Sequence, residues 1–169
     1  QRCVLNNYST QQFWRAWHRS FNQWLIRYMY IPLGGRDHKV LTVFLIFNFV
    51  AVWHDLDWRL LYWAWGISLI LIPELTLTSM FAGNRFATLQ NQWFFRPACT
   101  LIGAVNVWLM ICANLIGFTF GLDGLQLVIA SISKTTSWFD VGAFVVCHYA
   151  AVNLMMYVRF GKQEWATKY

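Results

Sequence analysis

Four histidines, His18, His38, His54 and His148, are this chain's candidates for proton transfer, and two of them share a setting. His54 follows Trp53 at the end of the apolar run in VLTVFLIFNFVAVWHDLDW, and His18 follows Trp17 in FWRAWHRSFNQWL. A neutral imidazole can take a proton from a hydroxyl near neutral pH, which is the work of a general base. Burial disfavours the imidazolium form, so an imidazole carried by an apolar segment suits that task. A second polar group nearby could orient the first or hydrogen-bond a developing oxyanion. For either histidine the competing reading is a packing residue bonded to a neighbouring helix.

The other polar residues carry less. His148, in VVCHYAAV, reads as one partner of an interhelical hydrogen bond. His38, in the polar GGRDHK loop, reads as solvated. Asp55 and Asp57 could assist His54, but a membrane-edge turn with solvated carboxylates is the simpler reading. Glu74 beside Pro73 predicts a helix break. Cys3, Cys99, Cys112 and Cys147 have no metal-ligand spacing, and three of them lie in or beside apolar stretches, where cysteine packs as a small hydrophobe. Asn7-Tyr8-Ser9 matches a glycosylation sequon, a triplet that also arises often by chance. There is no Ser-His-Asp order, phosphate loop or zinc spacing, so no metal site is expected.

The elements that must position these residues follow from composition. Of 169 residues 58% are hydrophobic and only 12% charged, about half the usual quarter for a soluble domain. Such a chain cannot cover a soluble surface with charge, and the prediction is an all-α, polytopic membrane helical bundle. The net charge of +6 is carried by residues that sit between apolar runs, which points to topology and lipid headgroups rather than nucleic acid. Four membrane segments are expected near residues 40–54, 60–82, 98–121 and 141–160. The first is short for a bilayer core that takes about twenty helical residues. An interfacial helix over residues 13–31 is expected ahead of them. On it Arg15, Arg19 and Asn22 share one face, while Trp14, His18, Phe21 and Leu25 line another. If each apolar run crosses once, Arg15, Arg19, Arg27, Arg36, Lys39, Arg85, Arg96, Arg159, Lys162 and Lys168 collect on one side and only Arg59 and Lys134 on the other. That asymmetry places the larger set, and the C-terminus, in the cytosol. A helix entering near Val40 would carry His54 about 21 Å inward, past the midplane of a ~30 Å core. An ionisable group at such depth marks a functional site by default.

Two stretches resemble a known family. FWRAWHRSFNQWLIRYMYIPLGG, residues 13–35, resembles the first signature of the membrane-bound O-acyltransferase family: an aromatic pair, a Trp followed by a polar residue, a Trp-rich helix and a Pro-Leu-Gly-Gly turn. FNFVAVWHDLDWRLLYWAWG, residues 47–66, resembles its second, an apolar helix ending on the family's invariant histidine. Order and spacing match, and the likeness covers roughly residues 8–75. VAVWHDLDWRLLYWAWG followed by IPE is similar to the glycerol-uptake-protein branch, whereas Asp55 departs from the small residue typical of bacterial members.

The resemblance implies that residues 1–169 are the C-terminal part of a single transmembrane domain. It implies an enzyme using acyl-CoA as co-substrate, without a bound cofactor, to acylate a hydroxyl of a lipid acceptor. His54 would be the general base, and His18 would orient substrate or stabilise charge. For this branch the implied task is remodelling the lipid of GPI anchors, from a lyso form, in the endoplasmic reticulum. The implied partners are acyl-CoA, the lyso-GPI or other lipid acceptor, and membrane lipids. Two alternatives are a glycerol or polyol transporter or transport regulator, with buried histidines in proton coupling, and a catalytically inactive regulatory homologue. The acyl-CoA pocket is expected to need further segments, so the isolated 169 residues are expected to be inactive.

Overall fold

The computed structural model describes residues 7–35, 37–81, 86–90 and 92–168. Cys3, Arg36, Ala82 and Arg85 lie outside the described residues, as do the side chains of Phe160, Lys162 and Lys168. The described residues form helices without strands: α1 (Thr10–Ala16), α2 (Arg19–Leu25), α3 (Lys39–His54), α4 (Trp58–Phe81), α5 (Ala87–Gln90), α6 (Phe95–Leu115), α7 (Gly121–Thr135) and α8 (Trp138–Lys168). Stretches within Trp58–Phe81, Phe95–Thr135 and Trp138–Arg159 are long and apolar enough to cross a membrane, and Lys39–His54 is a shorter apolar helix. The chain is an all-α membrane helical bundle.

The residues expected to form one helix over 13–31 are broken in two. Trp17 is extended, and His18 takes φ 39° and ψ 58°, the left-handed region. It is the one non-glycine residue with positive φ among the described residues, and histidine is among the few that visit this region more readily than most. The break puts Arg15 on α1 and Arg19 and Asn22 on α2, so the shared polar face does not form. α2 then continues into a π-helical turn, Ile26–Tyr30. The chain reverses at Pro32–Gly35, where Gly34 (φ 95°) and Gly35 (φ 49°) supply left-handed backbone. The Thr42 hydroxyl donates to the Leu33 carbonyl at 3.1 Å and ties this turn to α3.

α3 and α4 form an antiparallel hairpin around the three-residue turn Asp55–Asp57, as so short a connection requires. Asp57 caps α4: its Oδ1 accepts from the Arg59 N–H at 2.9 Å, and its Oδ2 pairs with the Arg59 guanidinium at 2.7 Å. That hydrogen-bonded guanidinium holds the Asp57 carboxyl below the usual carboxylate range. Ala51, Ala64 and Ile67 are fully buried in the core the two helices share, and Phe47 of α3 meets Trp63 of α4 at 6.0 Å. α4 runs unbroken through Pro73; the break expected there is not formed, as membrane helices tolerate an interior proline when neighbours re-satisfy the backbone.

The core of the bundle lies between α3, α4 and α6, with Phe47, Val50, Trp63, Ile67, Leu71 and Met110 among its buried residues. α6 ends in a second π-helical turn, Ile116–Phe120, and Gly121 (φ 66°) redirects the chain into α7. Residues 122–135, which lie between two expected membrane segments, are therefore helical, and most of α7 is exposed. α8 opens on a capping box: Ser137 Oγ accepts from the Asp140 N–H, and Asp140 Oδ2 accepts from the Ser137 N–H and hydroxyl. Val152 of α8 is fully buried, and a Cβ added at Gly103 of α6 would lie 3.3 Å from it. Thr100 donates to the Met156 sulfur at 3.4 Å.

Candidate active site

His54 is the last residue of α3, and His18 is the left-handed residue between α1 and α2. Different elements deliver them, yet both line one cavity of about 1670 Å³, bounded by residues of α1, α2, α3, α4, α6 and α8. Both are exposed within this chain, so the cavity is open where they stand, and the burial expected from the apolar run of α3 is not reached.

Aromatic edges hold both rings. The His54 ring meets Phe118 at 5.3 Å and Trp63 at 6.2 Å, each nearly perpendicular, and Trp53 at 5.0 Å. The His18 ring meets Trp17 at 5.4 Å. The elements that carry the two histidines are tied by Phe21 of α2 stacked on Trp53 of α3, 4.8 Å apart, and edge-to-face or offset contacts of this kind add about 0.5–1.5 kcal/mol beyond area burial. The carboxylates beside His54 are engaged elsewhere: Asp55 accepts from the Leu56 N–H at 2.7 Å, and Asp57 is paired with Arg59.

Behind the histidine lies Trp63, only 1% exposed. Its ring contacts Trp14, Phe47, His54 and Phe118. Its Nε1–H donates to Asn114 Oδ1 at 3.1 Å, and Asn114 Nδ2 donates to the Met110 carbonyl at 2.8 Å. The π-helical turn after α6 brings Phe118 against His54, and Gly117 makes this approach possible. A Cβ there would fall 2.6 Å from Trp63 Cβ, inside any real contact. We therefore expect Gly117→Ala to cost about 1–3 kcal/mol by overpacking and to move Phe118 off the His54 ring. Thermal unfolding of the full-length protein checks this, and an unchanged midpoint would rule it out.

Sequence reasoning missed Asn114 and Phe118, which line the cavity. Asn106 and Asn114 interrupt the apolar run of α6, and amides in a membrane helix demand partners, a signal that was available. His148 lines the same cavity, and its Nε2 lies 2.9 Å from the Ala104 carbonyl, the interhelical bond the sequence suggested. His38 directly precedes α3 and is exposed. Asn7 is buried, so the sequon is not a surface feature. Cys99, Cys112 and Cys147 are free thiols. Two imidazoles lining one cavity offer a proton acceptor for a hydroxyl and a hydrogen-bond donor for an oxygen that gains charge.

Comparison with known proteins bears on this arrangement. Residues 1–120 match the model of the membrane-bound O-acyltransferase family. The chain is 43% identical over 165 residues to the membrane-bound O-acyltransferase gup1 of Schizosaccharomyces pombe, covering 96% of this chain and 28% of that protein. It is 43% identical over 159 residues to the membrane-bound O-acyltransferase GUP1 of Saccharomyces cerevisiae, covering 94% of this chain and 28% of that protein. A shorter match, 40% over 67 residues, covers 37% of this chain and 13% of the mouse protein-cysteine N-palmitoyltransferase HHAT. The chain thus spans about a quarter of the length of the first two.

Proposed function

The chain belongs to the membrane-bound O-acyltransferase family, and from that premise we propose that the whole protein transfers a long-chain acyl group from acyl-CoA to a hydroxyl of a lipid acceptor. The acceptor in this reading is a lyso-GPI anchor, so the reaction is a step of anchor remodelling at the endoplasmic reticulum, with the C-terminus in the cytosol. The observation that carries the chemistry is the delivery of His54 and His18, from separate elements, to one cavity. The His54 imidazole accepts the proton of the acceptor hydroxyl. The hydroxyl oxygen bonds to the thioester carbonyl carbon, the carbon–sulfur bond breaks, and the thiolate leaves and takes up the proton. His18, as donor, hydrogen-bonds the carbonyl oxygen while it holds charge.

The cavity's aromatic and aliphatic walls suit an acyl chain, and a few polar groups at the histidines fix the reacting end. The names of the relatives support acyl transfer but differ in acceptor, since HHAT is a protein-cysteine N-palmitoyltransferase. The direct test supplies labelled long-chain acyl-CoA and a lyso-GPI acceptor to membranes containing the full-length protein. Label in the acceptor lipid is the expected result. No transfer, together with glycerol movement into vesicles, would replace this reading with transport.

A further inference from the structure

We propose that Glu74 is a positioning residue for His18: its carboxylate fixes the start of α1 and so sets where the turn carrying His18 meets the cavity. The inference rests on the functional reading above for its kinetic consequence, though not for its geometry. Glu74 stands well inside the membrane-spanning helix α4, where an ionisable side chain is costly unless its oxygens are satisfied. It finds three donors. The Ser9 hydroxyl donates to Oε1. The Thr10 N–H donates to Oε2 at 3.0 Å, and Asn106 Nδ2 of α6 donates to the same oxygen at 2.8 Å. Two of these donors belong to the residues that begin α1.

The start of α1 is also enclosed. Asn7, Ser9 and Thr10 are buried, the Tyr8 backbone passes close to Gly103 of α6, and the Arg159 guanidinium lies 5.6 Å from the centre of the Tyr8 ring. The other end of α1 is different. Trp17 and His18 are exposed, and ring contacts hold them. A seven-residue helix is too short to be stable alone, so its placement must come from its anchors. It is about 10 Å long, and a tilt at Ser9 is carried to His18. Glu74 does not line the cavity, whereas His18 does. It therefore acts through α1 rather than on substrate.

The chemistry separates positioning from charge. In Glu74→Gln the amide oxygen can keep the Thr10 and Asn106 donors, and the amide N–H can donate to the Ser9 hydroxyl, which accepts as well as donates. Glu74→Leu has similar bulk and satisfies none of them. The test uses the full-length protein in membranes, with activity per folded molecule and KM measured separately from kcat. Glu74→Leu should lower kcat by between about 10- and 100-fold, the scale of a misplaced group, and Glu74→Gln should retain most of it. In a His18→Gly background, which tolerates the left-handed backbone, Glu74→Leu should cost little more. Glutamine as damaging as leucine, or an equal leucine loss in both backgrounds, would overturn the proposal. If Glu74→Leu does not accumulate, Asn106→Ala, which removes one donor, should show the same pattern more weakly, and an equal loss in the His18→Gly background would overturn it in turn.

A second readout does not depend on activity. Spin labels placed at Arg15 on α1 and Leu56 in the α3–α4 turn report the distance between them. The distribution should broaden or shift in Glu74→Leu, or in Asn106→Ala, and stay as in the wild type in Glu74→Gln. An unchanged distribution in the disrupting variant overturns the proposal even if wild type transfers acyl groups, while an inactive wild type overturns the functional reading and leaves this measurement to decide the role of Glu74.

Discussion

His54→Ala in the full-length protein should lower acyl transfer by two or more orders of magnitude at matched protein level, since a positioned general base contributes about 10²–10⁴-fold. The side chain ends α3 and reaches the cavity edge, so its removal leaves the buried interface of α3 with α4 intact. Thermal stability should therefore change little. That combination, a large kinetic loss with an unmoved unfolding midpoint, distinguishes a base from a packing residue. Equal activity in wild type and variant would assign His54 to packing and remove the mechanism. His18→Gly should cost less than His54→Ala, because hydrogen-bonding to the oxyanion supports a reaction that the base alone can still begin.

Trp63→Ala should be the most destabilising single substitution among those considered, by about 3–5 kcal/mol, the range for truncating a large buried aromatic. The ring is almost fully enclosed, touches Trp14, Phe47, His54 and Phe118, and satisfies Asn114. The alanine would leave a cavity, an unpartnered Asn114 oxygen, and a His54 ring without its rear wall. Activity should fall together with the unfolding midpoint, unlike the His54→Ala pattern. Trp63→Phe separates the two contributions: it keeps most of the packing and loses the indole N–H, and should cost roughly 0.5–1.5 kcal/mol, the net worth of a hydrogen bond to the half-buried Asn114. A Trp63→Ala protein with an unchanged midpoint would mean that this ring is not the keystone of the α3–α4–α6 core.

Composition was enough for the class of fold, because a chain with so little charge can satisfy its backbone in a bilayer only by helices or a closed barrel, and its long apolar runs select helices. The sequence also marks the candidates for chemistry. An imidazole behind an apolar run is conspicuous because so few polar groups compete with it, and His54 and His18 could be named without coordinates. The turn at Gly34-Gly35 was legible for a related reason, since only glycine takes its backbone angles without strain.

The rest came from packing between helices. Nothing local ends the helix at Trp17. The left-handed backbone of His18 costs about 1–3 kcal/mol, and the docking of the α1 start on Glu74 together with the Phe21–Trp53 stack offsets it. Pro73-Glu74 reads locally as a break, but α4 continues because its environment is helices rather than water, and the carboxylate that seemed to mark the break instead joins α1, α4 and α6. The π-helical turn that sets Phe118 on His54 depends on Gly117 meeting Trp63, a contact between residues far apart in the chain. Local propensity cannot encode such pairings, because their energy exists only once the helices have packed.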